Sequence, residues 1–372
     1  MKRRIIITGG HHNSALVVAE ELKKQGDEVI WFGHMFTNWG DKNPGAEHKE
    51  ITEAGFKFIE IKAGKVHRTY HPFKLARLPL GFIQAFFYLL KFKPNLILSF
   101  GGYLAVPVVV CGWLLRIPSM THEQTVVYGL ANQVISRLAK KVFVSWETSL
   151  SHFPSEKVIL SGLPLRPEIF TQEKGKFEFR NKLPTIYITG GKQGSHWLNQ
   201  AVEEVLIDLL QDYNLIHQCG ESTVYDDLSR LRKKKADLLT RLKRRYLVQP
   251  YFGLKEIGSL FASSDLVISR SGAHVVYEMA ALGKPVIFVP LPWSYQDEQT
   301  KNAQILVDSG LAQILPQNRL SGNNLLRLIR NTMKNLNQYE KSAPKTRLLV
   351  KLEATKIIVD QIDVYLQKKK NQ

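Results

Sequence analysis

The stretch IIITGGHHNSALVVAEEL, residues 5–22, decides the fold. Three consecutive isoleucines read as a strand buried on both faces. Two glycines then turn the chain. Apolar residues at helical spacing follow, stopped by Gly26. This is the opening of a βα unit, but its turn is unusual. A turn built only for phosphate would carry more glycine, and a plain connection has no reason to carry His11 and His12.

The same theme returns at 185–206, TIYITGGKQGSHWLNQAVEEVL. Between the two openings strands and helices alternate: DEVIWFG (27–33), FKFIEIKAG (56–64), the helix FIQAFFYLLKFKP (82–94), NLILSFGGY (95–103) and KKVFVSW (140–146). After the second opening come NLIHQCG (214–220), RYLVQPYF (245–252), DLVISRSGA (265–273), KPVIFVPLP (284–292) and LAQILP (311–316). Alternation of this kind implies doubly wound parallel sheets. The expected architecture is α/β: two Rossmann-like doubly wound domains facing across a cleft. The expected domains are 1–163 and 164–340, joined through the Pro- and charge-rich stretch 163–183. A basic helical segment, 341–372, is expected to pack back on the first domain.

Composition narrows the function. Lys and Arg total 51 against 33 Asp and Glu, a formal charge of +18. Such an excess suits an anionic membrane surface or phosphorylated substrates. The basic stretch RLRKKKADLLTRLKRRY (230–246) lacks interleaved aromatics and any known DNA-reading motif, so no nucleic-acid partner is expected. The two cysteines, Cys111 and Cys219, have no metal-ligand spacing and exclude a disulfide scaffold. MKRRIIITGG stops its apolar run at Ile7, too soon for a signal peptide, and the longest apolar run, 104–115, is too short to span a bilayer. The expectation is a peripheral protein at the cytoplasmic face of the cell membrane. Residues 70–93, YHPFKLARLPLGFIQAFFYLLKFK, mix many large apolar residues with lysine and arginine, which suits adsorption to an anionic leaflet or a fully buried helix.

In doubly wound sheets the glycine turns carry the ligands. GGHHNS and GGKQGS match neither the dinucleotide fingerprint nor the P-loop, which argues against an NAD enzyme and a P-loop NTPase. Both can still present backbone N–H groups to an anion. The strongest local signal is SRSGAHVVYEMAALGKPVIFVPLP, 269–292. Small residues Ser271, Gly272 and Ala273 let backbone approach a diphosphate at a helix N-terminus. Glu278, about one and a half turns in, is placed for two ribose hydroxyls. A helix cap with a surface glutamate is the other reading of the same spacing.

Seven ordered stretches carry a family resemblance: GGH (9–11), SFGGYLAVP (99–107), THEQTVVYGLAN (121–132), SGLPLRPEIF (161–170), GGKQGSHWLN (190–199), SRSGAHVVYE (269–278) and QDEQTKNA (296–303). The chain resembles the peptidoglycan N-acetylglucosaminyltransferases of glycosyltransferase family 28 over about residues 1–340. The resemblance implies a GT-B fold and inverting transfer of GlcNAc from UDP-GlcNAc to the MurNAc 4-hydroxyl of a lipid-linked pyrophosphate. Another lipid or small acceptor, or a weakly active membrane-associated scaffold, are the other readings kept open.

Carried over, the donor side would comprise Arg166, Gly191, Lys192, Gln193, Gly194, Phe252, Arg270, Ser271, Gly272, Ala273, His274, Glu278 and Gln299. The acceptor side would comprise Gly9, Gly10, Lys65, Arg68, Gly101, Gly102, Tyr103, His122, Glu123, Gln124 and Asn132. His11 is the expected catalytic base, since imidazole titrates near neutrality; binding the acceptor diphosphate, or capping the helix, are its other possible roles. A helix N-terminus and an arginine can stabilise a leaving diphosphate. No cofactor is expected, and no metal; Asp297-Glu298-Gln299 is the nearest candidate. The first loop is shorter than the family's G-G-T-G-G-H, Ser14 stands where proline is usual, Lys192 replaces a small residue, and Thr125 stands where asparagine is common. His12 matches nothing in the pattern.

Overall fold

The computed structural model describes residues 2–36, 44–63, 77–173, 175–222 and 224–370. The chain divides into two compact units, Met1–Arg166 with Lys351–Gln372, and Pro167–Val350.

The first unit holds seven strands: β1 (Arg4–Thr8), β2 (Glu28–Gly33), β3 (Lys57–Glu60), β4 (Leu96–Ser99), β5 (Ser119–Glu123), β6 (Lys141–Val144) and β7 (Val158–Leu160). They lie in the order β3-β2-β1-β4-β5-β6-β7, all parallel. The chain winds outward from β1 to β3 and then returns to lay β4 on the other flank of β1. Neighbouring strands whose connections leave in opposite directions open a crevice at their carboxyl ends. Thr8 is in register with Ser99, so the loops after β1 and β4 leave the sheet side by side.

The pleat explains the isoleucine run. Ile5 and Ile7 face a core shared with Ala15, Val18 and Leu22 of the helix His12–Lys24. Ile6 faces the other core, with Leu89 of the helix Arg77–Phe92, Val108 of the helix Ala105–Leu114 and Ile135 of the helix Leu130–Leu138. All three are fully buried, each contributing about 1.5–3 kcal/mol.

The second unit repeats the scheme with β8 (Thr185–Thr189), β9 (Asn214–Gln218), β10 (Tyr246–Gln249), β11 (Leu266–Ser269), β12 (Val286–Phe288) and β13 (Ala312–Ile314). Their order is β10-β9-β8-β11-β12-β13, again all parallel, with the reversal between β8 and β11.

The unit boundaries fall at 166/167 and 350/351, where 163/164 and 340/341 were expected. The helix Leu336–Arg347 belongs to the second unit. The helix Ala354–Lys370 belongs to the first, where Ile358, Val359, Ile362 and Leu366 complete the core under β1. Arg3, at the foot of β1, joins Asp27 at 2.7 Å and Asp363 of that helix. The break lies in 348–353, where Leu348 and Leu352 are exposed and close no core.

Candidate functional site

In the first unit the switch-point loops interlock. Gly9 has φ +140°, and a Cβ there would lie 2.7 Å from the backbone carbon of Phe100, so only glycine fits. The Gly10 N–H donates to the Gly101 carbonyl at 3.0 Å. Gly101, Gly102 and Tyr103 follow, with the half-exposed Tyr103 ring beside His34.

His11 sits at the N-cap of the helix His12–Lys24, and its side chain makes no cap bond. Its Nδ1 lies 2.8 Å from the Phe100 carbonyl oxygen. A carbonyl only accepts, so Nδ1 carries the proton and Nε2 holds the lone pair. Burial pushes the imidazole pKa below its ordinary value, the Phe100 bond opposes this, and the charge of His12 adds to it. The ring is therefore neutral at pH 7, with a basic nitrogen in a fixed tautomer.

His12 is not an idle surface residue. Its Nε2 lies 3.5 Å from Glu50, which also accepts from Arg166 at 2.8 Å; Arg166 donates to Asn13 at 2.6 Å as well. Burial alone would raise the Glu50 carboxyl; the hydrogen bonds and charges of His12 and Arg166 outweigh it and hold it at about 2. Arg166, expected on the donor side, thus lies in the first unit beside the start of the His11 helix. The physical reason is a half-buried carboxylate that requires a cation.

His122, Glu123, Gln124 and Asn132 were expected as lining groups. All four are more than nine-tenths buried. The His122 Nε2–H donates to the Gly162 carbonyl, and burial depresses its pKa to about 4. Glu123 accepts from Asn132 Nδ2 at 2.8 Å, from the Thr125 hydroxyl at 3.1 Å and from the Gly129 N–H at 3.4 Å. Burial raises its pKa and these bonds oppose the rise. Glu123 and Asn132 brace the loop 124–129 from below, while His122 ties β5 to Gly162, after β7. Lys65 and Arg68 lie outside the described residues.

In the second unit the turn 190–194 follows β8. Gly194 has φ +81°, and a Cβ there would fall 2.0 Å from the Cys219 carbonyl oxygen. The turn leads to Ser195, which caps the helix His196–Glu204 by accepting from the Leu198 N–H. Gly191 and Gln193 are at the turn, Gln193 exposed, and the Lys192 ammonium lies 5.2 Å from the Tyr251 ring centroid.

Across the switch point from that turn, Arg270 directly follows β11. Its guanidinium donates to the Val289 and Pro290 carbonyls at 2.9 and 3.2 Å and to Ser195 Oγ at 2.7 Å. All three acceptors are neutral. Burial lowers its pKa to about 10, so it stays charged at neutral pH, and among the described residues no carboxylate pairs with it. Ser271 is fully buried, and its Oγ has no partner among the described residues. Gly272 caps the helix Ala273–Leu282 without a side-chain bond, leaving an anion-seeking N-terminus. His274 and Glu278 sit on this helix, both partly buried. Gln299 Oε1 accepts from the Ser271 and Leu291 N–H groups, at 3.3 and 3.0 Å. Before it, Gln296 and Asp297 hold left-handed backbone, with φ of 47° and 57°, and Asp297 accepts from the Thr300 hydroxyl.

Phe252 is buried against Phe177 and Tyr187, and its N–H donates to Gln218 Oε1 at 3.1 Å. Gln218, absent from the sequence expectations, was signalled only by a polar residue ending a buried strand before Gly220.

The glycines make a contrast that can be measured. A Cβ at Gly272 meets nothing within 4 Å, and its φ of −63° suits any residue. Gly272→Ala is expected to leave the melting temperature unchanged and to weaken binding of a diphosphate ligand at least tenfold. Gly194→Ala is expected to destabilise the unit itself. Thermal melts with nucleotide titrations check both, and full ligand affinity in Gly272→Ala would remove close backbone approach from the account.

A model of the Glycosyltransferase family 28 N-terminal domain matches residues 6–144, and one of the Glycosyltransferase family 28 C-terminal domain matches 185–362. The UDP-N-acetylglucosamine--N-acetylmuramyl-(pentapeptide) pyrophosphoryl-undecaprenol N-acetylglucosamine transferase of Clostridium botulinum (strain Kyoto / Type A2) is 31% identical over 363 residues, covering 93% of this chain and 95% of that protein. A second such transferase, from Bacillus cereus (strain ATCC 10987 / NRS 248), is 31% identical over 356 residues, covering 92% and 95%. Among solved structures, Acinetobacter baumannii MurG superposes with a TM-score of 0.73 at 27% identity, over 97% of this chain and 99% of that one. The S. aureus MnaA–UDP structure, at 14% identity and a TM-score of 0.68, shares the fold.

Proposed function

The chain belongs to glycosyltransferase family 28, and from that premise we infer that it transfers N-acetylglucosamine from UDP-GlcNAc to the MurNAc 4-hydroxyl of a lipid-linked pyrophosphate, converting lipid I to lipid II. The observation that carries the reading is Arg270, a half-buried cation whose partners among the described residues are all neutral acceptors.

The donor lies on the second unit. Its diphosphate takes the N–H groups after Gly272, the charge of Arg270 and the Ser271 hydroxyl. Glu278 accepts from the ribose hydroxyls, the Phe252 carbonyl accepts from the base, and the Gln299 amide donates to the sugar. The acceptor belongs to the first unit. His11 Nε2 takes the proton of the 4-hydroxyl as its oxygen bonds to the anomeric carbon. The bond from that carbon to the diphosphate breaks on the opposite face, so configuration inverts and UDP leaves with the bonding pair. The negative charge that develops on UDP is met by Arg270 and the helix dipole, which need no rearrangement.

Mass-detected transfer from UDP-GlcNAc to a lipid-pyrophosphoryl-MurNAc-pentapeptide is the direct test. Donor consumption without product on that acceptor would assign the enzyme a different acceptor.

The lipid-linked acceptor requires contact with a bilayer. Among the described residues no helix is long and apolar enough to cross one. The helix Arg77–Phe92 buries Ala85 and Leu89 and leaves Leu80, Ile83, Phe87 and Leu90 exposed, Ile83 at 53% and Phe87 at 65%. Their spacing puts them on one stripe. Exposed Lys91 and Lys93 end the helix, and exposed Trp113, Leu114 and Arg116 lie at the end of the neighbouring helix. This face adsorbs to anionic lipid at the cytoplasmic side. Ile83→Glu with Phe87→Glu is expected to abolish flotation with anionic vesicles and to spare turnover of a short-chain soluble acceptor. Unchanged flotation would remove the face from the account.

A further inference from the structure

Gln218 ends β9 between two strands whose following loops both serve the donor. It is in register with Thr189 of β8, before the turn 190–194, and with Gln249 of β10, before Tyr251 and Phe252. Its side chain is 95% buried and uses its full bonding capacity. Nε2 donates to Thr189 Oγ1 at 3.0 Å and to the Gly191 carbonyl at 3.2 Å. Oε1 accepts from the Phe252 N–H at 3.1 Å and from the Tyr187 hydroxyl at 3.4 Å. Thr189 Oγ1 in turn accepts from the Gly191 N–H at 3.0 Å, so the turn is gripped from both sides of Gly191.

We propose that Gln218 is a positioning residue for the nucleotide: it locks the diphosphate turn to the base-reading segment without touching the ligand. The proposal rests on the donor site described above. Two loops held in one geometry before the ligand arrives need no ordering when it binds. A ligand that spans both loops gains from the lock, while one that touches a single loop gains less. The amide is suited to this because it both donates and accepts. A glutamate in its place accepts from Phe252 and Tyr187 but has nothing to give Gly191 and Thr189. A methionine of similar length does neither.

The test is binding of UDP and of uridine, and steady-state kinetics, for Gln218→Met and Gln218→Glu in the full chain, with thermal melts of each. Gln218→Met is expected to raise the Kd of UDP at least tenfold and that of uridine less. The KM for UDP-GlcNAc should rise in step, with kcat at saturating donor within about threefold and the acceptor KM unchanged. Gln218→Glu, which keeps the grip on Phe252, is expected to bind uridine as the unaltered chain does and to lose affinity for UDP. An unchanged UDP Kd in both variants would overturn the proposal. So would equal losses for uridine and UDP, or a fall in kcat with KM unmoved. A parallel rise in the acceptor KM would mark general loosening and also overturn it. Failure of the unaltered chain to bind UDP would instead refute the donor-site reading.

Discussion

A His11→Ala enzyme is expected to lose about 10²- to 10⁴-fold in turnover while acceptor KM and donor KM stay within a few-fold. The ring is already prepared as a base: Nδ1 is fixed by the Phe100 carbonyl and Nε2 carries the lone pair. Burial holds the ring neutral at physiological pH. The alanine enzyme retains both glycine loops, because Gly10 bonds to Gly101 through backbone alone. Normal turnover in this variant would remove the base assignment. A large rise in acceptor KM with kcat intact would make His11 a binder of the acceptor diphosphate.

The pH profile follows from the same ring. Its pKa lies below the ordinary imidazole value of about 6.5, so kcat/KM should rise through an acid limb below that pH and then level off. Stability has its own acid dependence. His122 and His217 are buried neutral with pKa values near 4, chiefly through desolvation. Between about 4 and 6.5 the unfolded chain binds more protons at these rings than the folded one. Their contribution is complete above about 6.5 and is lost as pH falls through 4. Circular dichroism across the acid limb separates the two effects, since the limb of catalysis should appear while the fold persists.

Arg270→Met is expected to lower kcat/KM by about 10²- to 10³-fold. The guanidinium is the fixed charge at the donor turn, and its neutral partners hold it in place without neutralising it. The variant should lose affinity for UDP far more than for uridine, which carries no phosphate. Truncation also leaves the Val289 and Pro290 carbonyls and the Ser195 hydroxyl short of a donor, at a stability cost of about 1–3 kcal/mol, so melts must accompany the kinetics. Arg270→Lys keeps the charge but cannot bridge three acceptors as a planar fork does; it should recover only part of the loss. Equal losses for UDP and uridine would make Arg270 a structural brace.

The repeated strand–glycine–helix opening made both sheets legible, because a buried parallel strand needs a continuous apolar run and its turn needs glycine. Gly9, Gly194 and Arg270 stood where those signals end, whereas Gln299 came from the family resemblance alone. The polar residues around them were less legible. A histidine or glutamate at a strand end reads the same whether it faces a ligand or braces a loop; His122 and Glu123 do the second. Arg166 was assigned by motif to one side, but the carboxylate that holds it, Glu50, lies more than a hundred residues earlier in the chain. Gln218 forms part of no glycine pattern, and its importance comes from which two strands flank it. Such pairings depend on strand order, which no local pattern contains.

The helix Ala354–Lys370 has a consequence for how the molecule is made. It supplies Ile358, Val359, Ile362 and Leu366 to the core under β1, a strand synthesised before the whole of the second unit. Protein synthesis adds about 5–20 residues per second, so the first unit stands open along that core for roughly 10–40 s while the second is translated. The second unit, whose segments are contiguous from Pro167 to Val350, is complete before the first is closed. The first unit is thus closed only after the second is complete, and during that interval an apolar groove beside Ile5 and Ile7 is exposed to any chaperone that reads such surfaces. Loss of the helix Ala354–Lys370 through a premature stop would make that passing state permanent.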